Sequence, residues 1–113
     1  MSFSMRILVA NVNTTTSMTD AIAQQERAVA NPGTEIIPIT PAFGAESIEG
    51  NYESYVATVA VMETIRAYDG EFDAIIQAGY GERGCEGLQE LFDVPVVDIT
   101  ETAAATALFV GHR

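Results

Sequence analysis

The sequence predicts an α/β fold in which four parallel strands form a doubly wound, flavodoxin-like sheet with the strand order 2-1-3-4. Continuous apolar runs such as RILVA at Arg6 to Ala10 are typical of parallel strands that are covered on both faces. Stretches with helical spacing separate these runs, and clusters of Gly, Pro, Asn and Asp mark the turns between them. Ligands of such a sheet are expected at the carboxyl ends of its strands.

The elements alternate regularly along the chain. Four runs are expected to be strands: Arg6 to Ala10, Thr34 to Ile39, Ala74 to Ala78 and Val94 to Ile99. Four stretches are expected to be helices: Met18 to Val29, Tyr52 to Met62 and onward toward Gly70, Gly84 to Phe92, and Thr102 to Val110. Pro38 indicates that the second strand lies at a sheet edge or ends there, because proline donates no ladder hydrogen bond. Ser17 and Asp20 have the spacing of a capping box for the first helix.

Composition limits the partners and the chemistry. The chain has 113 residues and a net charge of -11, from 16 acidic and 5 basic residues, which disfavours nucleic acid and anionic membranes as partners. A single cysteine, Cys85, excludes an internal disulfide framework and a cysteine-rich zinc site, and it fits a reducing compartment, so a cytoplasmic location is expected. Neither a signal peptide nor a membrane span is expected. The spacing Gly79-x-Gly81-x-x-Gly84 lacks the acidic partner of a dinucleotide site, and we expect neither cofactor nor metal.

Four patches of the chain together resemble the aspartate/glutamate/hydantoin racemase superfamily. Arg6 to Thr14 (RILVANVNT) resembles the opening strand and its Asn-Pro-Asn-Thr turn, with Val12 in place of the proline. Pro41, Gly44 and Ser47 to Gly50 (SIEG) resemble the substrate-covering loop of hydantoin and allantoin racemases. The third patch runs from Phe72 to Gly84, and the fourth is Val94 to Val97 with Glu101 and Ala103 to Ala104 beyond it. The chain is most similar to the N-terminal lobe of hydantoin and allantoin racemases.

The resemblance implies a cofactor-independent isomerase that acts on amino-acid derivatives. Enzymes of that superfamily consist of two similar lobes related by a pseudo-twofold axis. Residues 1–113 are expected to correspond to one of these lobes, so the chain is expected to be incomplete relative to the two-lobe family. Each lobe supplies a cysteine, because inversion requires the proton to leave one face of an acidic carbon and return to the other. Gly79 stands at the position of the first cysteine. Racemisation by this chain alone is therefore not expected.

Two other functions stay open at this point. Arylmalonate decarboxylases are similar in fold and resemble this chain in having glycine at the first position, which favours a decarboxylase or lyase with a single cysteine. A module that binds small molecules or assembles with itself, without chemistry, is the other alternative. An isolated lobe is expected to expose an apolar face, and a homo-oligomer is expected for that reason.

The expected ligand is a small molecule with carbonyl, carboxylate or hydantoin-type oxygens. Asn13, Thr14 and the backbone amides of Gly79 to Gly81 offer neutral donors to such oxygens, although Asn11 and Asn13 could instead only cap a turn. The resemblance adds further candidate substrate-binding residues: Ser47, Ile48 and Glu49 in the covering loop, and Tyr80, Gly81 and Glu82 after the third strand. Glu82 could equally serve the following helix dipole. Cys85 is expected to point away from this site and to serve packing.

Overall fold

A computed structural model describes residues 5–78 and 85–98 of the chain. Seven elements follow one another: β1 (Met5–Asn11), α1 (Thr16–Val29), β2 (Thr34–Ile39), α2 (Asn51–Arg66), β3 (Ala74–Ala78), α3 (Cys85–Leu91) and β4 (Val96–Asp98). The helix that we predicted over residues 102–110 lies outside the described residues. Within residues 5–78 and 85–98, no helix is both long and apolar enough to span a membrane.

The strands form one parallel sheet in the order β2-β1-β3-β4, as predicted. Pro38 of β2 pairs with Val9 of β1. Because β2 lies at the edge of this sheet, the expected edge position of the proline is confirmed. At the carboxyl end of the register between β1 and β3, Asn11 pairs with Ala78. The turns that follow these two strands therefore leave the same edge of the sheet.

Helices cover both faces of the sheet, because successive strand residues point to opposite sides. Val9 and Ile36 pack with Ala23 of α1 on one face. The larger apolar cluster lies on the other face, where the sheet meets α2 and α3. Its buried members are Leu8, Ala10, Val12, Ala57, Val61, Ile65, Ile75, Leu88 and Val96.

The predicted capping box at Ser17 and Asp20 is wrong, because α1 begins at Thr16, two residues earlier than that box requires. Its N-cap is Thr15, whose backbone is extended at φ -84° and ψ 106°. The Thr15 side chain makes no capping hydrogen bond, since its hydroxyl donates to the carbonyl oxygen of Glu46 at 2.9 Å. The backbone amide of Thr15 instead donates to Asn13 Oδ1 at 3.0 Å, so the preceding turn sets the helix start.

Charged side chains gather at the amino-terminal edge of the sheet. The backbone amide of Arg6 donates to Asp73 Oδ2 at 2.8 Å. The Arg6 guanidinium lies 3.4 Å from Glu35 and 3.5 Å from Glu71 in partly exposed ion pairs. Such exposed pairs contribute about 0–1 kcal/mol each, so they add little to stability.

Candidate functional site

Asn11 organises the turn that leaves the carboxyl end of β1. Its side chain is only 1% exposed. Its Nδ2 donates to Asn13 Oδ1 at 2.8 Å, to Thr19 Oγ1 at 3.0 Å and to the Thr15 carbonyl oxygen at 3.2 Å. Thr40, just after β2, donates from its hydroxyl to Thr19 Oγ1 at 2.8 Å. One buried polar network therefore connects the ends of β1 and β2 with the first turn of α1.

Asn13 is half-buried beyond the end of β1. Its Oδ1 accepts from Asn11 Nδ2 at 2.8 Å and from the Thr15 amide at 3.0 Å. These two bonds support the view that Asn11 and Asn13 shape a turn. They do not use Asn13 Nδ2, so the same residue keeps donor capacity for a ligand.

The loop before α2 is fastened beside this turn by two hydrogen bonds. The Thr14 amide donates to the Ala45 carbonyl oxygen at 3.0 Å, and the Thr15 hydroxyl donates to the Glu46 carbonyl oxygen at 2.9 Å. Gly44 allows the loop to bend there, because its φ of +118° lies in a region that side chains disfavour. The structure thus brings the predicted Asn13 and Thr14 together with the start of the predicted covering loop.

The other predicted loop residues have separate environments. Ile48 is half-buried and packs against the apolar cluster of α2 and α3, so its side chain contributes to the core. Ser47 and Glu49 are exposed. The Glu49 amide donates to Glu53 Oε1 at 2.8 Å, which ties the end of the loop to the first turn of α2. Their proposed contact with substrate stays a prediction.

A cleft of about 240 Å³ lies between this loop and the start of α2. Its lining consists of Gly44, Ala45, Tyr52, Glu53 and Val56. The volume is below the roughly 300–1,000 Å³ of typical small-molecule sites, so the cleft is suited to part of a ligand. From the sequence, Tyr52 was predicted only as part of a helix face, and neither Glu53 nor Val56 was predicted as a site residue. Their position directly after the SIEG segment was the available signal.

A second group of polar side chains lies buried at the carboxyl end of β3. Gln77 is 0% exposed, and its register partner Asp98 on β4 is 7% exposed. Cys85 Sγ lies 3.7 Å from Gln77 Oε1, and the half-buried cysteine packs against the apolar cluster. The thiol therefore faces the core, as its predicted packing role requires, although it is close to the penultimate residue of β3. Gln77 and Asp98 were missed because they stand inside apolar strand patterns.

Gly79, Tyr80, Gly81 and Glu82 lie outside the described residues, and so does Gly84. Their predicted roles remain predictions. In the described part of the chain, no three His, Cys, Asp or Glu side chains are grouped closely enough to hold a metal ion. The described site therefore consists of the turn at Asn13, the adjoining loop and the cleft beside α2.

Comparison with known proteins identifies the family to which this arrangement belongs. The family model for Asp/Glu/Hydantoin racemase matches residues 7–113. The chain is 34% identical over 110 residues to a hydantoin racemase of Pseudomonas sp. (strain NS671), covering 96% of this chain and 44% of that protein. It is 35% identical over 109 residues to a hydantoin racemase of Paenarthrobacter aurescens, covering 95% and 46%.

Solved structures agree in fold. Allantoin racemase from Pseudomonas fluorescens superimposes with a TM-score of 0.92 at 70% identity, over 93% of this chain and 45% of that one. Allantoin racemase from Klebsiella pneumoniae gives a TM-score of 0.89 at 41% identity, over 94% and 44%. The chain thus spans a little under half the length of these relatives. The resemblance drawn from its motifs is confirmed, and the chain belongs to the Asp/Glu/hydantoin racemase family.

Proposed function

We propose that residues 1–113 form one lobe of a cofactor-independent racemase for hydantoin-type compounds such as allantoin, and that this lobe alone binds the compound without inverting it. The observation that carries the proposal is the half-buried Asn13, whose Oδ1 is engaged by the protein and whose Nδ2 remains a donor at the carboxyl edge of the sheet. The family supplies the substrate class, since the relatives are named hydantoin and allantoin racemases.

The ligand chemistry fits neutral donors. A hydantoin ring carries two carbonyl groups, one of which is bonded to the acidic carbon, and removing a proton from that carbon moves negative charge onto the oxygen of this carbonyl. Preorganised amide donors stabilise such charge without a metal ion. Asn13 Nδ2 provides one donor in the described site, and the backbone amides of residues 79–81 are proposed to provide others.

The proton carriers set the limit on activity. Inversion needs an acid and a base on opposite faces of the carbon. Gly79 has no side chain to serve as either, and the Cys85 thiol faces Gln77 and the apolar cluster. We therefore propose that a thiol from a second lobe would provide one carrier, and that a cysteine at position 79 would restore the other.

Proton exchange in heavy water tests this proposal. The 113-residue chain is mixed with one enantiomer of allantoin, deuterium at the asymmetric carbon is followed by NMR, and configuration is followed by circular dichroism. We expect saturable binding without exchange or racemisation above the buffer rate, and the same result for Gly79→Cys alone. Gly50→Cys is the matched control, because it adds a cysteine in the loop beside the cleft. When a second lobe with its own thiol is supplied, exchange should occur with retained configuration, and Gly79→Cys should add racemisation.

Two results would contradict the proposal. Rapid racemisation by the unmodified chain would show that the proton carriers are wrongly assigned. Failure to bind allantoin at saturating concentrations, with the fold intact by circular dichroism, would exclude the ligand class.

A specific observation also favours self-association. Tyr52, Tyr55 and Val59 on α2 are 79%, 62% and 49% exposed and form a stripe at helical spacing, which we call the outer stripe. Contiguous exposed apolar groups often mark contact surfaces. We propose that the outer stripe contributes to a homo-oligomer. Val59→Glu should lower the sedimentation coefficient, whereas Val29→Glu on α1 should leave it unchanged. A wild-type chain that stays monomeric at high concentration would refute the proposed self-association.

A further inference from the structure

We infer that Asn11 is a positioning residue that holds the Asn13 amide so that it presents only hydrogen-bond donors to a ligand. The inference concerns the chemical specificity of the turn, which would accept an oxygen and disfavour an N–H group. It rests on the proposed function only for the identity of the ligand.

The orientation of both amides follows from backbone groups, whose donors and acceptors are fixed by chemistry. The Thr15 amide is a donor, so the Asn13 atom 3.0 Å from it is Oδ1. The Asn13 amide is also a donor, so the Asn11 atom 3.3 Å from it is Oδ1. Asn11 Nδ2 then faces Asn13 Oδ1 at 2.8 Å and the Thr15 carbonyl oxygen at 3.2 Å, which are both acceptors. Every contact agrees with one assignment.

The hydrogen-bond count decides what Asn13 can offer. A carbonyl oxygen has two lone pairs, and both on Asn13 Oδ1 are used by Asn11 Nδ2 and the Thr15 amide. Its Nδ2 has two protons, and among residues 5–78 and 85–98 none accepts from them. A ligand therefore meets a donor at Asn13. A carbonyl or carboxylate oxygen satisfies that donor, while a ligand N–H leaves it unpaired.

Asn11 is itself held by a saturated network. Thr19 Oγ1 accepts from Asn11 Nδ2 at 3.0 Å and from the Thr40 hydroxyl at 2.8 Å, and it lies 3.5 Å from the Thr15 carbonyl oxygen, to which it donates. A hydroxyl has one proton and two lone pairs, so these three contacts use its full capacity. Because Asn11 is 1% exposed, water does not replace these partners. The buried network around Asn11 therefore determines that Asn13 presents hydrogen-bond donors to the site.

Asn11→Asp tests the inference, because aspartate keeps the shape of asparagine and removes the N–H donors. Its carboxylate would face Asn13 Oδ1, and the two acceptors would repel. A bond to a charged carboxylate is stronger than the neutral bond from the Thr15 amide to Asn13 Oδ1, so the Asn13 amide should turn to donate inward and give up the Thr15 bond. Allantoin should then bind about tenfold more weakly, the loss expected for one ligand hydrogen bond. Asn31→Asp is the matched control, because it adds the same charge at an exposed loop position and should leave binding unchanged.

A second readout does not depend on any ligand. In ¹⁵N spectra of the free chain, the side-chain amide protons of Asn13 should exchange quickly with water in the wild type and slowly in Asn11→Asp, where they become bonded. If allantoin fails to bind the wild type while the Asn13 signals respond in this way, the proposed ligand is wrong and the positioning role holds. Unchanged Asn13 exchange in a folded Asn11→Asp variant would overturn the inference.

Thr19→Val gives a milder second variant if Asn11→Asp does not fold. It keeps the branched shape and removes the hydroxyl that holds Asn11. Asn11 side-chain protons should exchange faster, and allantoin affinity should fall about threefold, a loss at the lower end of hydrogen-bond effects. Thr16→Val, which is exposed, is its control. Equal exchange of Asn11 protons in Thr19→Val and wild type would contradict the network.

Discussion

Gln77→Met should stabilise the chain although it removes a polar amide group from a central strand of the sheet. Gln77 is 0% exposed, and no described residue accepts a hydrogen bond from its side-chain amide nitrogen, Nε2. Its Oε1 has one contact of 3.7 Å, from Cys85 Sγ. Methionine has nearly the same length and volume, so the substitution removes the polar groups without opening a cavity.

The change in the free energy of unfolding follows from comparing the unsatisfied Nε2 donor with the thiol bond to Oε1. A buried donor without an acceptor costs about 1–3 kcal/mol, whereas a long bond from a thiol is weak because sulfur is a poor donor. The first effect is larger, so we expect a net gain of about 1–2 kcal/mol in the free energy of unfolding. For a domain of this size, that gain raises Tm by about 4–8 °C.

Urea denaturation followed by circular dichroism measures this difference. Gln25→Met is the matched control: Gln25 is exposed on α1, and the same substitution there should change the free energy of unfolding by less than about 0.5 kcal/mol. Loss of more than about 1 kcal/mol in Gln77→Met would refute the reasoning, because it would show that Nε2 is satisfied in solution. Asp98 is the register partner of Gln77 on β4.

Two further stability predictions use paired controls. Gly44→Ala should destabilise the chain by about 1 kcal/mol or more, because φ is +118° there, although an added Cβ would have no neighbour closer than 4.0 Å. Gly50→Ala should cost less than about 1 kcal/mol: its φ is -148°, nothing lies within 4 Å of an added Cβ, and only its place as the N-cap of α2 favours glycine over alanine. Leu88→Ala should cost about 2–5 kcal/mol because Leu88 is 0% exposed, and Leu91→Ala, 46% exposed, much less. Urea denaturation checks both pairs, and equal effects within a pair would contradict the corresponding argument.

The sheet could be predicted because its signals are local. Apolar runs, turn residues and helical spacing determine the alternation, and the right-handed crossover rule leaves few strand orders. Pro38 marked the edge strand in the same way, through a backbone group that it lacks. Helix ends were less predictable: Thr15 and Ser17 are both good capping residues, and the choice depended on hydrogen bonds to Asn13 and Glu46.

The site was only partly predictable, because its key contacts join segments distant in sequence. The motifs indicated Asn13, Thr14 and the loop, but the bond from Thr14 to Ala45 depends on how α2 packs against the sheet. Periodicity also gave no sign that Gln77 is fully buried with a polar side chain. That burial results from helices of the larger apolar cluster closing over the end of β3.

The most direct test of the central claim is a chemical-shift titration of the ¹⁵N-labelled chain with allantoin. We expect saturable changes at residues 13–15 and 44–46, which the two loop hydrogen bonds bring together at the carboxyl edge. We expect little change at Gly33 and Asp73, which contact the start of β1 at the opposite edge. Changes concentrated at that opposite edge, or no saturable change at all, would contradict the claim that this lobe binds hydantoin-type carbonyl groups through the turn at Asn13.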